Sequence, residues 1–355
     1  MRGHNCGGVC MPDYCDALNQ IEAKLHQDHK EVPFRIVVIK NGQLIAEWNN
    51  RLNAEIGLRV NSVKKSIIAL ALGIAVADGT IQSIDDRVYD YASWIIDVEE
   101  GEGPKPTVYA TEKDREITFR QIVSHFSGYM KVDEPPGEKF HYQTYSVNML
   151  ANVIASLYGR YDPVAHWLSG NQGIGSLIGE WIREEIGANW DWRYGAFAGI
   201  NQSDKLGIFG NNNYVYTNAR DLARLGWLLV ARGNWFGRQI IPAAWISECT
   251  NVSALLKERY PESQWVYGQL FWVNCGGNLW PSLPHDSFAM FGQGGHMVCA
   301  SQSAELVVAG CPLPGEGPNQ RFFEEYGVYN SRNMIQASVV PSVFEALGTR
   351  WDYRC

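Results

Sequence analysis

The chain has no run of lysine or arginine, and its formal net charge is −8. Nothing in it attracts a polyanion, so no nucleic-acid partner is expected. It also lacks an apolar stretch long enough for a bilayer: Ile67 to Ala77 falls well short of the roughly 20 residues that a spanning helix needs. Met1 to Cys15 is polar and glycine-rich, with no apolar core of a secretory leader. The expected setting is therefore the cytoplasm, with no membrane partner, although a mature secreted chain would read the same. Cys6, Cys10 and Cys15 do not have the paired two-residue spacing of a zinc knuckle, and His4 nearby does not complete one. Gly173 to Gly179 misses the dinucleotide fingerprint by one residue and follows no expected strand. No glycine-flanked nucleophile elbow is present either, which argues against a Ser-His-Asp hydrolase. No metal or organic cofactor is implied, and neither an internal repeat nor a low-complexity tract is present beyond Asn211-Asn212-Asn213, read as loop.

What remains is ordinary globular composition, with 355 residues, 46% hydrophobic and 19% charged, enough for one large or two medium domains. Thirteen tryptophans and seventeen tyrosines will mostly fill the core, but some can line an apolar substrate cleft. The eight cysteines read mainly as buried thiols, because a chain this long needs no covalent staples. The pairing state of Cys6, Cys10, Cys15 and Cys355 is left open.

Hydrophobic periodicity predicts an amphipathic helix from Asp13 to His29, with His26 and His29 on a solvated face. Two strands follow, Arg35–Ile39 and Leu44–Trp48, joined at an Asn41-Gly42 hairpin turn. A helix should begin near Ser62 and stop at Asp78-Gly79. Further helices are expected from a Thr118 cap to Ser127-Gly128, over Ser146–Tyr158, over Ile178–Ile186, and over Ala219–Ala231 with Thr217 or Asn218 as cap and Gly233 as stop. Beyond Trp265 the pattern turns to strands, Val266–Asn274, Phe288–Phe291, His296–Ala300 and Leu306–Ala309, before a last helix from about Ser331 to Leu347. Strands at both ends with helices between suggest a sheet domain of residues 1–61 and 262–355. A mainly helical domain, residues 62–261, would be inserted in it and carry the Ser62 helix at its start.

Ser62-Val63-Lys64-Lys65 is the stretch with chemical potential. A serine needs a base to accept its proton, and a lysine three residues along a helix lies beside it, a spacing that Lys65 meets and Lys64 does not. At a helix N-terminus Ser62 would have free N–H groups nearby to favour negative charge on a substrate oxygen. The apolar helix that follows should bury Lys65 and lower its pKa toward that of a working base. Ser124 and His125 also lie together, but adjacent residues of a helix face different ways. His285 and Asp286 sit in a loop that could approach a cleft.

Together with Ser62-Val63-Lys64-Lys65, the segments Pro136-Gly137-Glu138-Lys139-Phe140-His141-Tyr142-Gln143-Thr144 and Phe291-Gly292-Gln293-Gly294-Gly295-His296 resemble the three elements of serine hydrolases with the class C β-lactamase fold. That superfamily includes penicillin-binding proteins, D-aminopeptidases, family VIII carboxylesterases and 6-aminohexanoate-dimer hydrolases. Asp85-Asp86-Arg87-Val88, Ile117 to Gly128 and Tyr216 to Gly226 resemble it too, so the likeness runs over roughly residues 33–347.

The resemblance implies an α/β fold in which an antiparallel sheet is flanked by helices, with an inserted all-helical domain. It makes Ser62 the nucleophile of an acyl-enzyme, Lys65 the group that accepts its proton, and Tyr142 the shuttle to the leaving group, with Lys65 as the cation that lowers the tyrosine pKa. The backbone N–H groups of Ser62 and His296 would form the oxyanion hole, and Gly294 and Gly295 would let the strand edge approach the substrate. The Ser124 to Gly128 segment would be a structural turn. Two positions depart from the lactamase pattern: Gln293 replaces a lysine that would pair with a β-lactam carboxylate, and Thr144 replaces an asparagine. Both favour a carboxylic ester or small amide in an aromatic-rich cleft. The alternatives are an acyltransferase, a β-lactamase or D-aminopeptidase-type amidase, and a non-catalytic binding member. Oligomeric state is open.

Overall fold

Two strands of near-continuous apolar sequence define the centre of the molecule. In the computed structural model, which describes residues 12–30, 32–53, 56–103, 105–162, 173–196, 211–312 and 335–348, β1 (Phe34–Lys40) pairs antiparallel with β11 (Leu306–Pro312). Such runs suit strands covered on both faces. Val37 and Ile39 face one apolar cluster, and Phe34, Ile36 and Val38 face the other. His4, Cys6, Cys10, Cys355 and residues 331–334 of the expected last helix lie outside the described residues.

The main sheet has six strands in the order β2-β1-β11-β10-β9-β8, where β2 is Gln43–Asn50, β8 Trp272–Val273, β9 Phe288–Gly292 and β10 His296–Ser301. All neighbours are antiparallel. Asn41 and Gly42 both have positive φ, 52° and 75°, as the tight β1–β2 turn requires. On one face lie α1 (Pro12–Asp28) and α10 (Ile335–Leu347), contributing Leu18, Leu25, Val339, Val343 and Phe344 to a buried layer. On the other lies α7 (Ala219–Val230), whose Gly226 lets the helix touch the sheet: a Cβ there would stand 2.5 Å from Val307 Cγ1. Asn218 caps α7 by accepting from the Asp221 N–H.

The helix α2 (Val63–Ala77) packs on β9 and is mostly apolar and mostly buried, its first-turn lysines included. Trp245 from α8 (Ala243–Cys249) locks it in place. Its indole Nε1 donates to the Ala69 carbonyl at 2.8 Å, over Gly73, where a Cβ would meet the ring at 1.9 Å. Against α2 pack α5 (Tyr145–Leu157) and α6 (Ile174–Ile178), and the short helices α3 (Val88–Tyr91) and α4 (Phe119–Val123) pack on α5. Thr118 and Gln121 close a capping box on α4.

Several expectations need correction. The middle of the chain is not all-helical, because β3 (Leu58–Arg59), β5 (Asn211–Thr217) and β4 (Asp191–Ala196) form a second sheet in the order β3-β5-β4. The asparagine tract 211–213 begins a strand rather than a loop. α4 stops at Val123, since Ser124 closes it and His125 turns to φ 63°. α6 begins at Ile174, ahead of the expected start at Ile178, and Gly175 packs under Trp192. Val266–Asn274 is mostly a folded loop in which Leu270 has φ 60°, and only Trp272–Val273 is strand. His26 and His29 are not simply solvated: His29 Nε2 lies 3.3 Å from Ser338 Oγ on α10, and the His26 ring centroid is 5.6 Å from that of Phe34. Cys249, Cys275, Cys299 and Cys311 are buried thiols, whereas Cys15 on α1 is disulfide-bonded.

Candidate active site

Ser62 caps the N-terminus of α2 with φ −70° and ψ −8°, and Lys65 sits one turn on. Lys65 Nζ donates to Ser62 Oγ at 2.9 Å. Only 2% of Lys65 is exposed, and dehydration of its ammonium lowers the pKa from 10.5 to about 7. A lysine in that state is neutral in a large fraction at physiological pH and can take a proton. The Ser62 N–H makes no backbone hydrogen bond among the described residues.

Lys64 is buried too. Its Nζ donates to the Asn213 carbonyl on β5, and dehydration, reinforced by Lys65 and Arg59, holds its pKa well below the usual lysine value. Sequence reasoning passed over Lys64, yet the signal was present: a mostly apolar helix leaves little solvated face for any residue of its first turn.

Tyr142 comes from the loop before α5. The loop is held by the Gly137 N–H on the Phe126 carbonyl at 2.7 Å and the His141 N–H on the His125 carbonyl at 2.8 Å. Glu134 Oε1 lies 3.0 Å from His141 Nδ1. The Tyr142 hydroxyl hydrogen-bonds Ser62, and Lys65 Nζ stands 4.7 Å from the ring centroid. The expectation that Lys65 depresses the tyrosine pKa is not met. Dehydration of the hydroxyl raises it and the bond to Ser62 offsets only part, so the group at neutral pH is a phenol. Tyr142 is 37% exposed.

Aromatic rings surround it. Trp272 stacks on Tyr142 with centroids 6.2 Å apart, Tyr267 meets Tyr142 edge-on at 6.2 Å, and Trp272 packs on Phe291, which in turn meets Trp280. His125, read from sequence as part of a structural turn, lies under the Tyr142 ring at 4.6 Å. It is fully buried, its ring nitrogens have no hydrogen-bond partner, and dehydration lowers its pKa far below the usual value, with Lys65 adding to the effect. No local pattern announces this contact, because it depends on the positive φ that ends α4.

The third element is the β9–β10 turn. Gly292 packs flat on the Val60 carbonyl, where a Cβ would lie at 2.0 Å. Gln293 is exposed and its carbonyl accepts from Asn61 Nδ2 at 2.6 Å, while Gly294 and Gly295 have φ 95° and 90°. His296 opens β10 with its ring buried and without hydrogen bonds, and burial lowers its pKa to about 4. Thr144 caps α5 without a side-chain hydrogen bond to the helix. The structure thus brings Ser62, Lys65 and Tyr142 into direct contact and sets the Gln293 turn beside the residue preceding Ser62.

Other expectations fall away. Asp286 accepts from the hydroxyls of Ser301 and Ser303 at 2.7 and 2.8 Å, a structural task at the β10–β11 turn. A cavity of about 300 Å³ between α1 and α10, lined by Ile21, Lys24, Val339 and Ser342 among others, includes none of the residues above. Among the described residues no group of three or more His, Cys, Asp or Glu could hold a metal. Nor is any helix there long and apolar enough to cross a membrane.

In chemical class this protein is a serine hydrolase. Its sequence matches the Beta-lactamase family over residues 18–310, and the chain belongs to that family. Among solved structures, a family VIII carboxylesterase is similar with TM-score 0.66 and 17% identity, covering 96% of this chain and 99% of that one. A hydrolase with promiscuous acyltransferase activity gives TM-score 0.62 at 13% identity, over 95% and 99% of the two chains. A penicillin-binding protein homologue from Caulobacter crescentus gives 0.60 at 17%, over 86% and 92%. At such identities the likeness is one of fold. No curated protein matches the sequence.

Proposed function

We infer that the protein cleaves a carboxylic ester or small amide through an acyl-enzyme on Ser62. The observation that carries this reading is the 2.9 Å bond between Ser62 Oγ and a buried lysine whose pKa lies near 7. Neutral Lys65 takes the serine proton as Oγ attacks the substrate carbonyl. The oxyanion is held by the backbone N–H groups of Ser62 and His296. Tyr142, a neutral phenol bonded to Ser62, relays the proton from Lys65 to the leaving group, and water then releases the acyl group by the reverse path.

The substrate lies between the N-terminus of α2 and the β9–β10 edge of the main sheet. Tyr142, Trp272 and Phe291 supply an apolar wall suited to an uncharged acyl or alcohol group. Gln293 and Thr144 offer neutral contacts, which favours such substrates over the carboxylate of a β-lactam. Labelling with a fluorophosphonate tests the reading: a stoichiometric adduct on Ser62 is expected, and an unmodified Ser62 in the folded protein overturns it.

A further inference from the structure

The oxyanion hole of the proposed reaction needs two N–H groups from distant parts of the chain, Ser62 and His296, held at one fixed spacing. The turn that leads into His296 closes on itself through one long hydrogen bond, from the Gly295 N–H to the Gly292 carbonyl at 3.2 Å. Gly294 and Gly295 are consecutive, both have positive φ, and glycine has the widest conformational freedom of any residue. Two contacts tie this turn to the nucleophile. One is the packing of Gly292 on the Val60 carbonyl. The other is the hydrogen bond from Asn61 Nδ2 to the Gln293 carbonyl, 2.6 Å long.

Asn61 is built for this contact. Its backbone sits in the left-handed region, φ 49°, which asparagine tolerates better than most residues. The Asn61 carbonyl accepts from the Lys64 N–H at 3.3 Å in the first turn of the nucleophile helix, while the neighbouring Val60 N–H donates to Val215 on β5 at 2.9 Å. The backbone of Asn61 is therefore anchored to α2 and β5, which leaves its side chain to reach across to the sheet.

The geometry points to Asn61 as a positioning residue, whose amide pins the β9–β10 turn to the nucleophile helix and so sets the spacing of the two oxyanion donors. It touches neither substrate nor reacting atoms. This role rests on the acyl-enzyme reading above.

Two variants test it. Asn61→Gly keeps the left-handed backbone and removes the amide. Asn61→Asp keeps the size but sets a carboxylate against the Gln293 carbonyl. Removing a whole oxyanion donor costs about 10²–10³ in kcat, so loosening the carrier of one should cost about 10- to 30-fold in Asn61→Gly, and more in Asn61→Asp. The loss should fall on kcat for p-nitrophenyl acetate, with KM within about twofold. A boronic acid that mimics the tetrahedral intermediate should bind more weakly by the same factor as kcat/KM. Backbone amide exchange over residues 292–296 should accelerate in both variants.

An Asn61→Gly enzyme with kcat within about twofold of wild type overturns the inference, whether or not exchange accelerates. A loss carried by KM alone overturns it as well. If the wild type fails to label on Ser62, the acyl-enzyme reading falls and this role with it. If the wild type labels and Asn61→Gly behaves as wild type, only the role of Asn61 falls.

Discussion

The helix side of the site and the sheet side are built on opposite principles. On the helix side, Lys65 and Tyr142 both meet Ser62, and burial sets the titration of the lysine and the tyrosine. On the sheet side, residues 292–295 carry three glycines and one exposed, uncharged side chain. A lysine held in the interior is costly, because its ammonium gives up its water there. A glycine turn is costly in another way, through lost backbone entropy. In the proposed reaction the proton-transfer groups thus lie on the helix side, and the approach to the substrate is left to backbone groups of the sheet side.

The largest expected effect tests the helix side directly. Ser62→Ala should lower ester turnover by at least about 10⁴-fold in a steady-state assay while circular dichroism stays unchanged. Retained turnover would mean that the nucleophile lies elsewhere.

Lys65→Met should cost somewhat less, about 10³-fold or more in kcat, and should separate activity from stability. In the wild type kcat/KM should rise with pH to a plateau above about 7, because the base must be neutral. Stability should follow the same group. The folded pKa of about 7 lies below the usual 10.5, so between these values the unfolded chain holds a proton that the folded chain has released. Stability from Lys65 therefore rises with pH across that window, and the full cost of the buried cation is present below about pH 7. Lys65→Met removes that cost, so denaturant titration at pH 6 should show the variant more stable by a few kcal/mol, roughly, with the gap closing toward pH 10.

Tyr142→Phe keeps the ring stack and removes the hydroxyl. A loss of about 10²-fold in kcat with little change in KM is expected, smaller for p-nitrophenyl esters than for alkyl esters, whose leaving group needs the proton more. Equal losses for both would argue against the shuttle.

The smallest effect should come from the sheet side. Gln293→Lys should leave p-nitrophenyl acetate hydrolysis within about threefold while lowering KM for a substrate with a free carboxylate by about 3- to 10-fold. If the charge instead abolishes ester turnover, the turn takes part in the chemistry and the contrast drawn above breaks.

Much of the architecture could be read from local sequence. The Asn41-Gly42 turn, the Asn218 cap, the mostly apolar α2 and the strands β9 to β11 all carry their signals within a few residues. What could not be read depends on partners far along the chain. The tract Asn211-Asn212-Asn213 looks like loop because asparagine is a poor strand former, yet it opens a strand that pairs with β3 and β4 and receives the Lys64 Nζ. The stretch at Val266–Asn274 looks like a strand but folds back where the Leu270 N–H meets the Val123 carbonyl. At the site, Ser62 and Lys65 are three residues apart and were legible together. His125 under Tyr142 and Asn61 beside Gln293 were not, since nothing in either segment encodes the other.

The sequence by itself determined the spacing of Ser62 and Lys65, the burial of that lysine in an apolar helix, and the neutral Gln293 between its glycines, because helix periodicity and side-chain chemistry are local properties. Only the tertiary structure decided that the Tyr142 hydroxyl meets Ser62 and that burial raises its pKa where a nearby cation was expected to lower it. It also decided that the Gln293 turn is held to Asn61 across 232 residues of chain. Those outcomes depend on which groups exclude water from which, and that follows from packing between segments that meet only in the folded chain.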